Sequence, residues 1–384
     1  MENIAIDKIF WNKITGAVDF IDDIAEKLED NKNIILVSSD NIPWYASFRN
    51  NLIDIMNEKF GKHERIRIEE SREQCLFRDE KSFRRNLLED KRIFGERTRC
   101  RERDNFVKIF ADNAFIHNEN NKKFYIWLDI YFESSFDKWV NFISDYMKEK
   151  DKNNKNIVFI VSYHNNFKVT PNIQFNFTRF SLKNYITEYA CYVFFTILIS
   201  NSKDIKTNDY FKLYLAELLT HLIKDNINDK QIEYCLECLK DYNNFLKNPK
   251  EKIKRVFVNP SISEDSIRDV IYYSQIKVFY PMLDKYRLWF TRRYATILND
   301  ILKNDRARLE SFMDKNEKAI KKVEDFQFGR LKNVVDIYES KFTKDVKDDF
   351  KNVCLAVRNK LSHTEEVDFA LLKSFIDIFI KNKL

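Results

Sequence analysis

Phe124-Tyr125-Ile126-Trp127-Leu128-Asp129-Ile130 is a seven-residue run of apolar and aromatic side chains broken by a single carboxylate. So continuous a run is too apolar for a strand with one wet face, and it predicts a strand buried on both sides, as in a parallel sheet. A second such run, Ile157-Val158-Phe159-Ile160-Val161, follows a helical pattern over Phe136 to Met147 and a polar loop from Lys148 to Lys155. Strand, helix and strand at this spacing make a βαβ unit.

Outward from this unit, Ile34-Ile35-Leu36-Val37 reads as another buried parallel strand, Ile66-Arg67-Ile68 as a more exposed one, and Ile173 to Phe180 as a last strand. Pro43 fits the first turn of a helix that runs through Ile55. From about Leu182 the apolar period changes to 3.6. Helices are expected over 184–200, 208–224, 229–246 and 264–303, with Pro281 kinking or dividing the last. The stretch 248–262, which carries Pro249 and Pro260, reads as a linker. The expected organisation is α+β and multidomain: an α/β domain with a mostly parallel sheet over 1–183, an all-α middle region over 184–260, and a helical bundle over 261–384.

The 384 residues carry a net charge of +6, from 66 basic and 60 acidic side chains. That excess is compatible with a nucleic-acid partner without requiring one, so local patches carry more information than the total. Cys75, Cys100, Cys191, Cys235, Cys238 and Cys354 are scattered, and Met1 to Trp11 lacks the pattern of a secretory signal. Free thiols in a reducing cytoplasm are the expectation. The most apolar stretch, Tyr189 to Ile199, falls short of the about 20 residues that cross a bilayer and reads as a buried helix. No membrane association is expected.

The C-terminal sequence Arg358-Asn359-Lys360-Leu361-Ser362-His363 concentrates polar chemistry at the end of an apolar-striped helix. Val346, Phe350, Val353, Val357 and Leu361 recur at helical spacing. Asn359 and His363 are i, i+4 partners, with Arg358 one residue's turn away. Ser362-His363-Thr364-Glu365 fits a capping box for a following helix, whose buried side is Phe369, Leu372, Phe375, Ile376 and Phe379. His363 then falls in a bend between two packed helices, partly exposed and firmly held. Only one of the five histidines has an arginine so placed. The chemistry suits RNA, whose 2′-hydroxyl lies beside the scissile phosphate. An imidazole is the side chain best able to exchange a proton near neutrality, and a guanidinium stays charged as phosphate charge builds. As structural devices, the same Arg and His would merely complement the negative end of a helix dipole.

These residues resemble the HEPN family, helical domains marked by Arg, a polar residue, a short spacer and His. The resemblance covers roughly 265–384. It implies metal-independent RNA cleavage, with Arg358 and His363 catalytic, Asn359 supportive, and two domains meeting so that both motifs line one cleft. A homodimer or higher oligomer is therefore expected, without cofactor or metal. Tyr286-Arg287-Leu288-Trp289-Phe290-Thr291-Arg292-Arg293-Tyr294 interleaves cations with rings, which makes Arg287, Arg292 and Arg293 weaker candidates for RNA contact. The same spacing also describes a core stripe of Leu283, Phe290 and Tyr294 with a solvated basic face, and this second reading is preferred.

The N-terminal sheet lacks the glycines of a phosphate-binding loop. Gly16, Gly61, Gly95 and Gly329 are the only glycines, and none makes a P-loop or dinucleotide fingerprint. The loop after the first strand is Ser38-Ser39-Asp40-Asn41-Ile42-Pro43-Trp44, without glycine or lysine. Asp129 and Ser162 nevertheless end their strands as a Walker-B carboxylate and a sensor residue do. Residues 30–182 thus resemble a STAND or AAA-type nucleoside triphosphatase core without its P-loop, reused for protein contacts. Asp129 itself is expected to be solvated at its strand end. Cys235-x-x-Cys238 lies mid-helix without a second pair, and His117, His164 and His221 show no ligand spacing, so no zinc site is expected. The cluster from Arg92 to Arg103 reads as a solvated face.

Fusions of this kind imply a ribonuclease of a bacterial anti-phage, abortive-infection or stress (toxin-like) system, held in check by its N-terminal domain, with RNA and other defence proteins as partners. Two other readings remain open. One is a catalytically inactive interaction or scaffold subunit of a defence complex. The other is a nucleic-acid-binding protein using the basic clusters, with steep salt dependence.

Overall fold

The computed structural model describes residues 5–37, 41–60, 63–70, 75, 77, 79–95, 104–115, 123–150, 157–164, 177–225, 227–257, 263–305 and 320–384. The chain forms two compact units. One gathers residues up to Phe194 together with Ile223–Ile232, and the other gathers Phe195–Leu222 and Glu233–Leu384. In these terms the expected middle region 184–260 is shared: 184–194 and 223–232 go with the sheet, the rest with the C-terminal helices.

The first unit is an α/β layer structure. Helices α1 (Ile6–Lys13) and α2 (Thr15–Glu29) precede strand β1 (Asn33–Leu36), helix α3 (Tyr45–Phe60) and strand β2 (His63–Glu69). Helices α4 (Glu80–Leu88), α5 (Lys91–Phe94) and α6 (Phe106–Asn113) lead to β3 (Lys123–Ile130), α7 (Glu133–Lys150), β4 (Ile157–Tyr163) and β5 (Phe177–Phe180). The five strands make one parallel sheet in the order β2-β3-β4-β1-β5. The continuous apolar runs end up where such runs must go, in the middle of the sheet with both faces covered. Alternation along β3 divides its side chains between two cores. Phe124, Ile126, Leu128 and Ile130 join a cluster with Phe83, Phe110, Trp139 and Phe159. Trp127 instead meets Phe48 of α3, and Tyr125 stacks on Phe60 at the end of that helix.

Pro43 lies just before α3 rather than in its first turn. It is held there by Trp11, whose indole N–H donates to the Pro43 carbonyl at 3.1 Å. The last strand begins at Phe177, and the earlier part of that expected strand, 173–176, lies outside the described residues.

The second unit is helical. Helices α8 (Glu188–Asn201), α9 (Asp209–Ile223) and α10 (Asp229–Lys240) cross between the groupings above, and α11 (Tyr242–Lys247) and α12 (Pro249–Val256) follow. The expected linker is thus helical in its first half. Pro249 sits in the first turn of α12, where its missing N–H costs nothing, so the proline starts a helix instead of ending one.

Helix α13 (Glu264–Arg293) runs 30 residues straight through Pro281. The expected helix over 264–303 is divided later, at Tyr294, before α14 (Ala295–Asn304). Packing explains why the proline does not divide it: the helix is anchored on both sides by buried Phe279, Met282, Leu283 and Tyr286. Then come α15 (Phe328–Ile337), α16 (Lys344–Asp348), a π-helical segment (Asp349–Cys354), α17 (Leu355–Ser362) and α18 (Phe369–Asn382). Among the described residues, no helix is long and apolar enough to cross a membrane.

Candidate functional site

The C-terminal motif sits where the sequence puts it, at the end of one helix, but the local construction differs. The π-helical segment inserts one extra residue per turn and so shifts the apolar stripe. Phe350, Cys354, Val357 and Leu361 are buried, whereas Val346 and Val353 are only half-buried. Helix α17 then closes on His363, whose backbone N–H donates to the carbonyls of Asn359 and Lys360. Thr364 takes the left-handed conformation at φ 61°, and the Glu365 N–H reaches back to the Lys360 carbonyl at 2.9 Å. That is a Schellman-type ending, with a β-branched residue where glycine is the usual choice. The capping box expected over Ser362–Glu365 does not form, because α18 starts later and is capped by Asp368, whose side chain accepts from the Leu371 N–H.

Two residues of α13 pin this bend. The Tyr272 hydroxyl donates to the Leu361 carbonyl at 3.0 Å. The buried Gln275 side chain donates to the Val367 carbonyl and accepts from the Val367 N–H, both at 2.8 Å. Both arrive from about 90 positions upstream, and the local motif holds no sign of either. Beside the bend lies a recess of about 360 Å³ lined in part by Gln275, Glu366 and Lys247, where burial raises the Glu366 carboxyl above the usual range.

The three motif side chains reach solvent. Arg358 is half-buried, and Asn359 and His363 are exposed. The Arg358 guanidinium donates to the Asn359 side-chain oxygen at 3.1 Å, which orients it along the helix end. Among the described residues, no side-chain hydrogen bond joins either of them to the His363 imidazole. One chain therefore presents a cation and an imidazole side by side without clamping them together.

The upstream basic–aromatic helix divides. Arg287, grouped with Arg292 and Arg293 as a candidate RNA contact, is buried instead. It pairs with Asp284 at 2.8 Å and donates to the Glu324 and Phe326 carbonyls at 2.9 and 3.2 Å. Its donors hold the segment before α15 against α13 and are out of reach of a ligand. Arg292 and Arg293 are exposed, while Leu283 and Phe290 form the core stripe.

In the sheet unit, Asp129 is not solvated. It is 1% exposed at the C-terminal end of β3, opposite Ser162 of β4 in the strand register. The Tyr45 hydroxyl donates to one carboxylate oxygen at 2.7 Å, and Arg67 Nε donates to the other at 2.7 Å. The same phenol oxygen lies 2.6 Å from the Ser162 hydroxyl and accepts from the Trp127 indole N–H at 3.0 Å. Burial, followed by the Asp129 charge, pushes the Tyr45 phenol well above its ordinary pKa. A carboxylate is expensive to bury unless hydrogen-bonded and paired, and this one is both.

The donors around Asp129 bear on whether a magnesium–nucleotide could sit at this strand end. A metal–phosphate group at this strand end needs a carboxylate oxygen facing open space, and both oxygens of Asp129 are already covered. Tyr45 opens α3 at the position where a P-loop lysine and hydroxyl would stand. Trp44, at φ 47°, turns its N–H onto Asp229 at 2.5 Å. Phe10, Trp44 and Phe194 fill the neighbouring space, ring against ring. The described residues do not fit a P-loop type of magnesium–nucleotide. Residues Ser38–Asp40 of that loop lie outside the described residues.

A second buried carboxylate, Glu70, accepts from the Ser135 hydroxyl at 2.6 Å and the Tyr131 N–H at 3.2 Å. The sequence offers no sign of it, since Glu69-Glu70 looks like a strand's polar exit. Cys235 and Cys238 are both buried, and burial pushes the Cys238 thiol up to about 12, so it is no ready metal ligand. His117 and the basic cluster beyond Gly95 (Arg97, Arg99, Arg101 and Arg103) lie outside the described residues.

No family model matches the chain, and no curated protein matches it. Among solved structures it is similar to Cdc6p from Pyrobaculum aerophilum, at 13% identity and a TM-score of 0.40, covering 86% of this chain and 89% of that one. It is also similar to the Aeropyrum pernix Orc1 protein solved in complex with DNA, at 9% identity and a TM-score of 0.35, covering 85% and 86%.

Proposed function

We propose that this chain is a metal-independent endoribonuclease of the HEPN type, controlled by its N-terminal α/β unit, in a bacterial anti-phage or stress system. The observation that carries the reading is the bend after α17. Arg358, Asn359 and His363 project from one helix end whose backbone is fixed by Tyr272, Gln275 and the left-handed Thr364. Polar side chains on a rigid, solvent-reaching corner are what a catalytic constellation requires.

The reaction follows from the groups. The RNA 2′-hydroxyl attacks the adjacent phosphorus as His363 accepts its proton. Arg358 holds the equatorial oxygens as negative charge accumulates. The bond to the 5′-oxygen breaks, and that oxygen takes a proton from a second imidazole, which a second copy of the motif supplies. The products are a 2′,3′-cyclic phosphate and a 5′-hydroxyl. The absence of a side-chain hydrogen bond between Arg358 and His363 among the described residues leaves both free for a shared cleft.

The N-terminal unit suits a regulatory role on a decayed nucleoside triphosphatase scaffold. The parallel order with β4 between β1 and β3, and Asp129 beside Ser162, agree with an AAA-type core. The Tyr45 and Arg67 caps replace catalytic chemistry with a fixed polar lock.

The test is cleavage of whole-cell RNA in EDTA. Wild type is expected to leave 2′,3′-cyclic phosphate ends, and Arg358→Ala and His363→Ala are each expected to lower the rate about 100-fold or more. A His363→Ala variant that cuts as fast as wild type sinks the proposal.

A further inference from the structure

Between α3 and the β2–β3 part of the sheet lies a groove of about 250 Å³ that neither the ribonuclease motif nor the Asp129 lock accounts for. Its position follows from topology. Helix α3 packs on β3, through Phe48 against Trp127 and Phe60 against Tyr125, and β2 beside it is an edge strand. Parallel register places Arg65 and Arg67 of β2 opposite Tyr125 and Trp127 of β3, on the face that α3 overlies. One turn into α3, Arg49 and Asn50 complete the rim, and the floor includes Met56 and the Trp127 ring.

The charges on this rim are unbalanced. Arg67 is engaged, by Asp129 at 2.7 Å and Glu69 at 3.0 Å. Arg49 and Arg65, from facing elements, have no ion pair or hydrogen bond among the described residues, yet both line the same recess. Half-buried Arg49 and exposed Arg65 make the rim of this hollow electropositive, which favours an anion. Their planar forks match phosphate oxygens two at a time. The floor beneath them is apolar and aromatic, which suits a flat ring rather than a bare ion. The volume lies a little below the roughly 300–1,000 Å³ of sites for drug-sized ligands, so the groove takes no ligand larger than one nucleoside with one phosphate, part of it reaching past the open rim.

We propose that this groove binds a mononucleotide, with its phosphate between Arg49 and Arg65 and its base against Trp127. The site is distinct from the strand end that holds Asp129, and two residues border both: Arg67, which pairs with Asp129, and Trp127, whose indole N–H donates to the Tyr45 hydroxyl. Ligand binding there bears on a residue that secures the buried carboxylate. The proposal does not depend on the ribonuclease reading.

Isothermal titration of the full chain with AMP, CMP, GMP and UMP tests it, with inorganic phosphate and adenosine as comparators and tryptophan fluorescence as a second signal. At least one mononucleotide is expected to bind saturably, more tightly than phosphate or adenosine. Arg49→Gln and Arg65→Gln, both at solvent-reaching positions, are each expected to weaken it about tenfold or more, the loss of one charge-assisted hydrogen bond. Circular dichroism and thermal melting confirm that the variants fold. Three outcomes overturn the proposal: no saturable binding of any mononucleotide at millimolar concentration, affinity that both folded variants retain, or inorganic phosphate binding as tightly as every mononucleotide.

Discussion

Asp129 shows how one side chain's meaning depends on its neighbours. A carboxylate at the end of a buried strand is open to solvent, to a metal or to partners within the chain, and Tyr45 and Arg67 decide among these by occupying both oxygens. Asp129→Ala leaves a half-buried guanidinium and a buried phenol without their acceptor. It is expected to destabilise the folded chain by about 2–3 kcal/mol. Tyr45→Phe, which removes only the hydroxyl, is expected to cost about 1–2 kcal/mol. Urea unfolding measures both, and an Asp129→Ala midpoint equal to wild type would show that the lock contributes nothing. Arg287 makes the same point from the other side. Its place among rings and cations suggests a ligand contact, but its guanidinium is spent on Asp284 and two backbone carbonyls.

At the scale of elements, the segment from Lys344 to Ser362 is one helical rod with a π-helical turn inside it. The turn matters because it sets which residues face the bundle, and therefore which way Arg358 points. The bend that follows depends on α13, chiefly through Gln275, whose amide matches the Val367 backbone group for group. Gln275→Leu strands a buried N–H and a buried carbonyl. The expected cost is about 2 kcal/mol or more. Where the variant stays folded, RNA cleavage should fall while Gln275→Glu, which keeps an acceptor for the Val367 N–H, retains more of it. Equal activity in Gln275→Leu and wild type would mean that the bend does not position His363.

For the whole molecule, buried tyrosines set an alkaline limit. Burial raises the phenols of Tyr45, Tyr146 and Tyr214 and pushes Tyr125 up to about 12. In the unfolded chain these groups ionise near 10. A raised folded value means that the folded state holds its protons longer, so the stability they contribute is complete below about pH 10 and is lost as pH climbs through the folded values. Unfolding free energy should therefore fall steeply above about pH 10, with the delayed tyrosine absorbance appearing together with loss of helical signal. Tyrosines that all titrate near pH 10 while the fold persists would contradict this burial.

The sequence by itself determined the parts that rest on local pattern. Continuous apolar runs on β3 and β4, with a helical pattern between them, point to strands buried on both faces in a parallel sheet, a 3.6 period beyond Leu182 points to helices, and an Arg-Asn-x-x-x-His string at a helix end is visible in six letters. Tertiary structure alone decided the rest, because it depends on partners far away in the chain. Asp129 is sealed by Tyr45 and Arg67, which lie 84 and 62 positions away. The motif's bend is held from α13, Pro281 is carried by packing, and Arg49 of α3 comes to line one groove with Arg65 of β2 only because the helix folds onto the sheet. Periodicity reports which face of an element is wet or dry, whereas the pairing of one buried polar group with another is set by how those faces come together.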